Sequence, residues 1–140
     1  MAYDKAILRR IYDRTAGYCH ICKKKLNFNN YSERGAKGTW EVEHSRPRSK
    51  GGTDHLNNLY AACISCNQSK GIHTTQTARS WHNRTRAPLS KVKRKNAKYV
   101  NTAGGAIIGA GIGALVAGPT GALIGAAIGG KAGYDTDPDR

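Results

Sequence analysis

Between Glu43 and Gly71 the chain reads EHSRPRSKGGTDHLNNLYAACISCNQSKG, which puts two histidines, two cysteines and three asparagines into 29 positions. Few of these side chains are useful for a core. Phosphodiester hydrolysis needs them: a base to deprotonate water, and a hard cation against the scissile phosphate. Carboxylate and amide oxygens suit Mg2+ or Mn2+, whereas thiolates select zinc. The stretch holds both sets. Glu43, at a strand end, and Asn67, at a helix start, offer oxygens. His44 follows Glu43 directly, so its ring leaves the strand on the opposite side and reaches metal-bound water only where the strand bends or ends. Taken singly, each residue has a plainer use: His44 and Glu43 as a surface pair, Asn58 and Asn67 as turn and cap residues.

The four cysteines, Cys19, Cys22, Cys63 and Cys66, form two CxxC pairs about 40 residues apart, which is zinc spacing. Two disulfides are the alternative. The opening residues MAYDKAILRR have no apolar run ending in a small-residue cleavage site, so a reducing, cytoplasmic setting and a metal are expected. The first hundred residues are poor in aliphatic side chains, and a small domain of that kind needs a staple.

Charge is uneven. Residues 1–100 carry 21 Lys or Arg against 6 Asp or Glu, and the last 40 carry 2 against 3. A domain this basic attracts polyanions. Charge alone does not separate DNA from RNA or from an anionic membrane. Arg46, Arg48, Lys50, His55 and Lys70 are the residues expected to meet a nucleic-acid backbone, and no motif for reading bases accompanies them. His20, His73 and His82 are left as surface or phosphate-contacting residues.

These groups must be positioned by few elements. Asp4 to Ala16 has helical periodicity, with Ile7, Leu8, Ile11 and Tyr12 on one face, Arg9, Arg10 and Arg14 on the other, Asp4 as cap and Gly17 as terminator. A knuckle with Cys19 and Cys22 follows, then a polar loop over residues 27–38, expected to be mobile. TWEVEH alternates as a short strand with Trp40 and Val42 on its apolar face and Glu41 and Glu43 on the other. Leu59 to Ala62 is a second strand. A helix begins near Cys63 to Cys66 and runs toward Arg79, weakened by Gly71 and three threonines.

Glu43-His44, Pro47, Ser49, Gly51-Gly52, Asn58-Leu59 and CxxCN followed by Lys70 resemble the HNH endonuclease family over about residues 18–71. The resemblance implies a small α+β fold: a ββα-metal core stapled by structural zinc on the four cysteines and preceded by the N-terminal helix. It implies His44 as general base and Asn58 as the residue that ties down the inter-strand loop and orients that base. Glu43 and Asn67 match the ligands of a catalytic Mg2+ or Mn2+, with Glu41 at a second acidic position used by some members. The family more often has Asp before the base. Glu43 is one methylene longer, which loosens the site and favours Mn2+ over Mg2+. A noncatalytic, zinc-stabilised nucleic-acid binder is the competing reading.

The expected organisation is a nuclease domain at 1–83 with its core at 18–79, a basic linker at 84–102, a Gly/Ala-rich helical hairpin at 103–134 and an acidic tail at 135–140. Glycines recur four apart at Gly105-Gly109-Gly113 and Gly121-Gly125-Gly129-Gly133, spacing that lets apolar helices approach closely. This part resembles glycine-zipper segments of bacterial membrane-associated proteins. The 28 uncharged residues from Ala103 to Gly130 could meet a membrane or a second copy of the chain. Each half is short of the roughly 20 residues that a crossing needs. A basic nuclease head on such a tail fits a toxin delivered to a target cell, with an immunity protein as partner, or a phage enzyme with an anchor. Full-length protein is expected to sediment with anionic lipid vesicles, while a chain ending near Asn101 stays in the supernatant. A full-length protein that stays monomeric in the supernatant without detergent overturns the hairpin.

Overall fold

The computed structural model describes residues 3–100; the expected glycine-zipper hairpin and the acidic tail lie outside them. The chain divides into two units, Met1–Lys91 and Val92–Arg140. In the first unit α1 (Lys5–Asp13) leads to β1 (Trp40–His44), β2 (Leu59–Cys63), α2 (Ile64–Lys70) and α3 (Thr75–Ser80). This is a small α+β fold with an N-terminal helix and a ββα-like core.

Asp4 caps α1 by accepting a hydrogen bond from the Ile7 amide at 2.7 Å. The helix ends at Asp13, earlier than its periodicity implies, and the chain turns through Ala16 and Gly17, both with positive φ. Ile11 is fully buried, and Ile7, Leu8 and Tyr12 pack around it. Arg14, expected on the solvent face, instead reaches across to β2. Its guanidinium donates to the Leu56 carbonyl, and to the Tyr60 hydroxyl at 2.7 Å.

β1 and β2 pair antiparallel, Trp40 with Cys63 through His44 with Leu59. A two-stranded sheet is marginal by itself in water, and here both of its faces are covered. Trp40 is wholly buried among Tyr12, Phe28 and Tyr31. The segment 27–38, expected as a mobile loop, is tied to itself and to this cluster. Asn30 Nδ2 donates to the Lys37 carbonyl at 2.8 Å, the Asn27 side chain accepts from the Asn29 amide, and Phe28 and Tyr31 seat on Trp40. Its polar residues serve as internal hydrogen-bond partners.

The other face of β1 meets α2. Simple alternation puts Glu43 on the solvent side, but it is the most buried acid of the fold, with no exposed surface. Lys70 Nζ lies 2.9 Å from Glu43 Oε1, and Thr75 Oγ1 donates to the same oxygen at 3.1 Å. Burial pushes the Glu43 carboxyl up, against the Lys70 and Thr75 hydrogen bonds that pull it down. Lys70 also donates to the His44 carbonyl at 2.9 Å. A positive-φ glycine, Gly71, ends α2, and the Thr74 hydroxyl caps α3 by accepting from the Thr77 amide. The expected single helix is therefore two. Residues 91–100, expected as linker, are helical, as their lysines, arginine and alanine favour. Among the described residues no helix is long and apolar enough to cross a membrane.

Removing one partner of a buried ion pair strands the other charge, typically at about 3–5 kcal/mol, whereas replacing both with apolar or neutral groups is often tolerated. Lys70→Met is expected to lower stability by about that much, and Glu43→Gln with Lys70→Met to recover most of it. Urea unfolding of the metal-loaded protein measures both. Equal losses in the single and double variants would show that Lys70 acts through something other than Glu43.

Candidate active site

The four sulfurs come together from two places. Cys19 and Cys22 sit on a tight knuckle closed by the Cys19 amide on the Lys24 carbonyl and the Lys23 amide on the Cys19 carbonyl. Cys63 and Cys66 sit where β2 runs into α2. All four are free thiols, with their Sγ atoms within 4.8 Å of one another. Cys22 and Cys63 are 3.8 Å apart, and a tetrahedral Zn–S bond of about 2.3 Å gives an edge of about 3.8 Å. The amides of Ile21 and Cys63 donate to Cys19 Sγ. The hydrogen bond from Cys19 lowers the Cys22 thiol to about 7. The cluster can hold a structural metal ion, and its donor set fits zinc.

Beside it His20, left by sequence as a surface or phosphate-contacting residue, is buried. It stacks on Tyr60 at 3.8 Å between centroids and takes the Arg79 guanidinium at 2.8 Å. Burial, then the charges of Arg79 and Arg14, drive its ring down to about 2, so it stays neutral. His73 lies edge-on to Trp81, and His82 Nε2 lies 3.5 Å from Cys66 Sγ.

The loop from Ser45 to Asn58 is organised by Asn58. Its Oδ1 accepts from the Arg46 amide at 2.8 Å, and its Nδ2 donates to the carbonyls of Thr53 and Arg46. One side chain thus closes both ends of the loop. Gly52 is required for the closure, since a Cβ there would stand 1.8 Å from the Arg46 oxygen. His44, at the end of β1, directs Nε2 at Asp54 Oδ1, 2.7 Å away, and Arg48 donates to the same carboxylate at 2.6 Å. These two partners, His44 first, hold the Asp54 carboxyl below the ordinary carboxylate range. With its proton on Nε2 toward Asp54, His44 leaves Nδ1 as an acceptor.

Asp54 was not singled out by sequence, though it is the one acid in the basic, polar loop between His44 and Asn58. Of the expected backbone-binding residues, Arg46, Arg48, Lys50 and His55 are exposed, with Arg46 donating to the Lys50 carbonyl. Lys70 is not available: it is 3% exposed and neutralised by Glu43.

The expected oxygen ligands are rearranged. Asn67 meets Glu41, not Glu43, with Nδ2 3.1 Å from Glu41 Oε2. Turning the amide over would set two oxygens facing each other, the donor pair a hard cation takes. Glu43 has one oxygen committed to Lys70 and Thr75, while its Oε2 is buried with no hydrogen-bond partner. An unsatisfied buried carboxylate oxygen is costly unless a cation meets it. Glu41 and Asn67 thus meet at the helix–strand interface, while Glu43 keeps one carboxylate oxygen buried and unpaired. Glu41 also lines an open cleft of about 320 Å3, together with Tyr3, Tyr31, Ser32, Val42, His44 and Arg48.

Protein prepared without added metal is expected to carry about one zinc per chain. Because such binding is folding free energy, a strong chelator or Cys66→Ala should cost the zinc and the folded helical signal together. Oxidised cysteine pairs in protein freshly isolated under reducing-neutral conditions, or full stability after chelation, would exclude the zinc staple.

Comparison with known proteins matches two parts of the chain. The HNH endonuclease model matches residues 19–72, the span that holds the knuckle, both strands, the Asn58-closed loop and α2. The YMGG-like Gly-zipper model matches residues 85–139. No curated protein and no solved structure gives a significant match. The chain thus carries an HNH-like domain at residues 19–72, with the four-cysteine metal cluster inside it, and a Gly-zipper-like domain at residues 85–139.

Proposed function

We propose that the N-terminal unit hydrolyses phosphodiester bonds in DNA with the help of a divalent metal ion. The observation that carries this reading is the His44–Asp54 contact of 2.7 Å at the edge of the cleft, inside the HNH-like domain. A general base needs one ring nitrogen as acceptor and the other held by a partner. In this arrangement Nδ1 takes a proton from water, the water oxygen attacks phosphorus, and the bond to the 3′ oxygen breaks. Asp54 is a positioning residue, stabilising the imidazolium that forms. Asn58 keeps the His44 loop closed, and the Lys70 ammonium fixes the backbone carbonyl of His44 itself.

Glu41 and Asn67 would hold Mg2+ or Mn2+, with Glu43 Oε2 as a third oxygen of the same interface. The ion, when bound, supplies positive charge against the phosphate and the departing oxygen. Arg46, Arg48, Lys50 and His55 bind the DNA backbone and carry no sequence information. A basic first unit supports a polyanionic substrate, and the Gly-zipper-like domain supports a membrane or self-association role for the second. A toxin with its immunity protein, or a phage enzyme, remains the biological setting this pairing favours.

His44→Ala is expected to reduce plasmid cutting by at least about a hundredfold, leaving zinc content and DNA affinity unchanged. Without an added divalent ion the zinc-loaded protein should not cut, and Mn2+ should start cutting faster than Mg2+ at equal concentration. A His44→Ala protein that cuts like the parent overturns the base assignment. A parent that binds plasmid but cuts with neither ion supports the noncatalytic binder.

A further inference from the structure

The cleft beside His44 has more in it than hydrolysis of a phosphate requires. Its volume of about 320 Å3 is at the lower end for sites that enclose a small molecule. Tyr3 and Tyr31 bring phenol rings into its lining, which a phosphate groove does not need. A nucleobase uses them, because aromatic rings stack on any base face. Arg48, exposed at the same cleft, supplies the cation for the adjoining phosphate.

We propose that this cleft is a subsite for one unpaired nucleobase of a DNA strand, next to the phosphate that His44 serves. The assignment rests on the nuclease reading and names the form of DNA it takes. Tyr31 is held for the task, packed edge-on against Trp40 at 4.9 Å, with its backbone bridged to Trp40. Tyr3 directly precedes the Asp4 cap, so the capped start of α1 sets its backbone. Tyr3 lies outside the matched residues 19–72. A base within a duplex can enter only by leaving its stack, which costs a few kcal/mol. The domain therefore prefers single-stranded or frayed DNA over matched duplex.

The test is equilibrium binding by the full-length protein, kept in mild detergent without added Mg2+ or Mn2+ so that nothing is cut. The probes are a single-stranded oligonucleotide containing 2-aminopurine and the same oligonucleotide in a duplex. The single strand should bind more tightly, with its fluorescence quenched by stacking. Tyr3→Ala and Tyr31→Leu should each weaken that binding about tenfold or more, with zinc content and circular dichroism unchanged. Leucine at 31 keeps an apolar contact with Trp40, and because Tyr3 packs against the core, urea unfolding of Tyr3→Ala separates a lost base contact from a lost fold. Equal affinity for the duplex, or tyrosine variants that bind like the parent, overturns the subsite. Cutting is scored separately in Mn2+. Protein that binds in this way yet never cuts retains the subsite and loses the hydrolysis. Protein that cuts, and binds normally without the tyrosines, loses only the subsite.

Discussion

Four sulfurs within 4.8 Å of one another tie a knuckle near the start of the chain to the junction of β2 and α2, and the remaining elements depend on that tie. The sheet has two strands, α2 has seven residues and α3 has six, none long enough to persist alone. The apolar core is correspondingly thin: beyond Trp40, Ile11, Ile21, Leu26, Leu59 and Ile64, it consists of alanines and the cysteines themselves. Metal binding at the thiols would replace the apolar area that a domain of this size cannot bury. The tie also sets where α2 starts, and so which of its side chains face β1.

That start brings two periodicities into step. Residues 41 and 43 share one face of a strand, and residues 67 and 70 share one face of a helix. Laid against each other they give two pairs, Glu41 with Asn67 and Glu43 with Lys70. The first holds Glu41, which lines the cleft, by an amide hydrogen bond, and the second is a charge pair sealed from water. The same strand delivers His44 to Asp54. Five residues of strand thus serve the core, a buried ion pair, a candidate cation site and a candidate base.

Much of this was legible in the residues. Asp4 reads as a cap because a short acid before an apolar stripe has few other uses, and the CxxC pairs read as a metal cluster because their spacing suits nothing else so well. Asn58 was legible only through the family resemblance, and its three loop-closing hydrogen bonds give that position a physical reason. Alternation failed at Glu43 because it assumes a sheet with one wet face, and α2 with α3 removes the water from that face. His20 and Arg14 were misplaced for a related reason. A polar side chain carries no mark of whether a neighbour will desolvate it, and theirs are Tyr60 and Arg79, some 40 to 60 residues away. Asp54 went unseen because a single acid in a basic loop looks like ordinary charge balance.

A fully buried carboxylate and ammonium are a poor way to gain stability, since hydrophobic residues of similar size would often do as well. Here the pair has a second attachment. The Lys70 ammonium spans the Glu43 carboxylate and the His44 carbonyl, both at 2.9 Å, and Thr75 hydrogen-bonds both Glu43 and the Ser45 carbonyl. The backbone on either side of the His44 ring is therefore fixed from α2 and α3, while Asn58 fixes the loop beyond it and Asp54 the ring itself. A candidate base at the end of a short strand would otherwise share that strand's fraying. Placing a charge where water cannot reach it makes the positioning hydrogen bonds stronger and harder to exchange, and a site holding reactants to within a fraction of an ångström needs that. The buried pair makes physical sense as a positioning device for His44, and the four-sulfur cluster, by fixing the start of α2, sets that device in place.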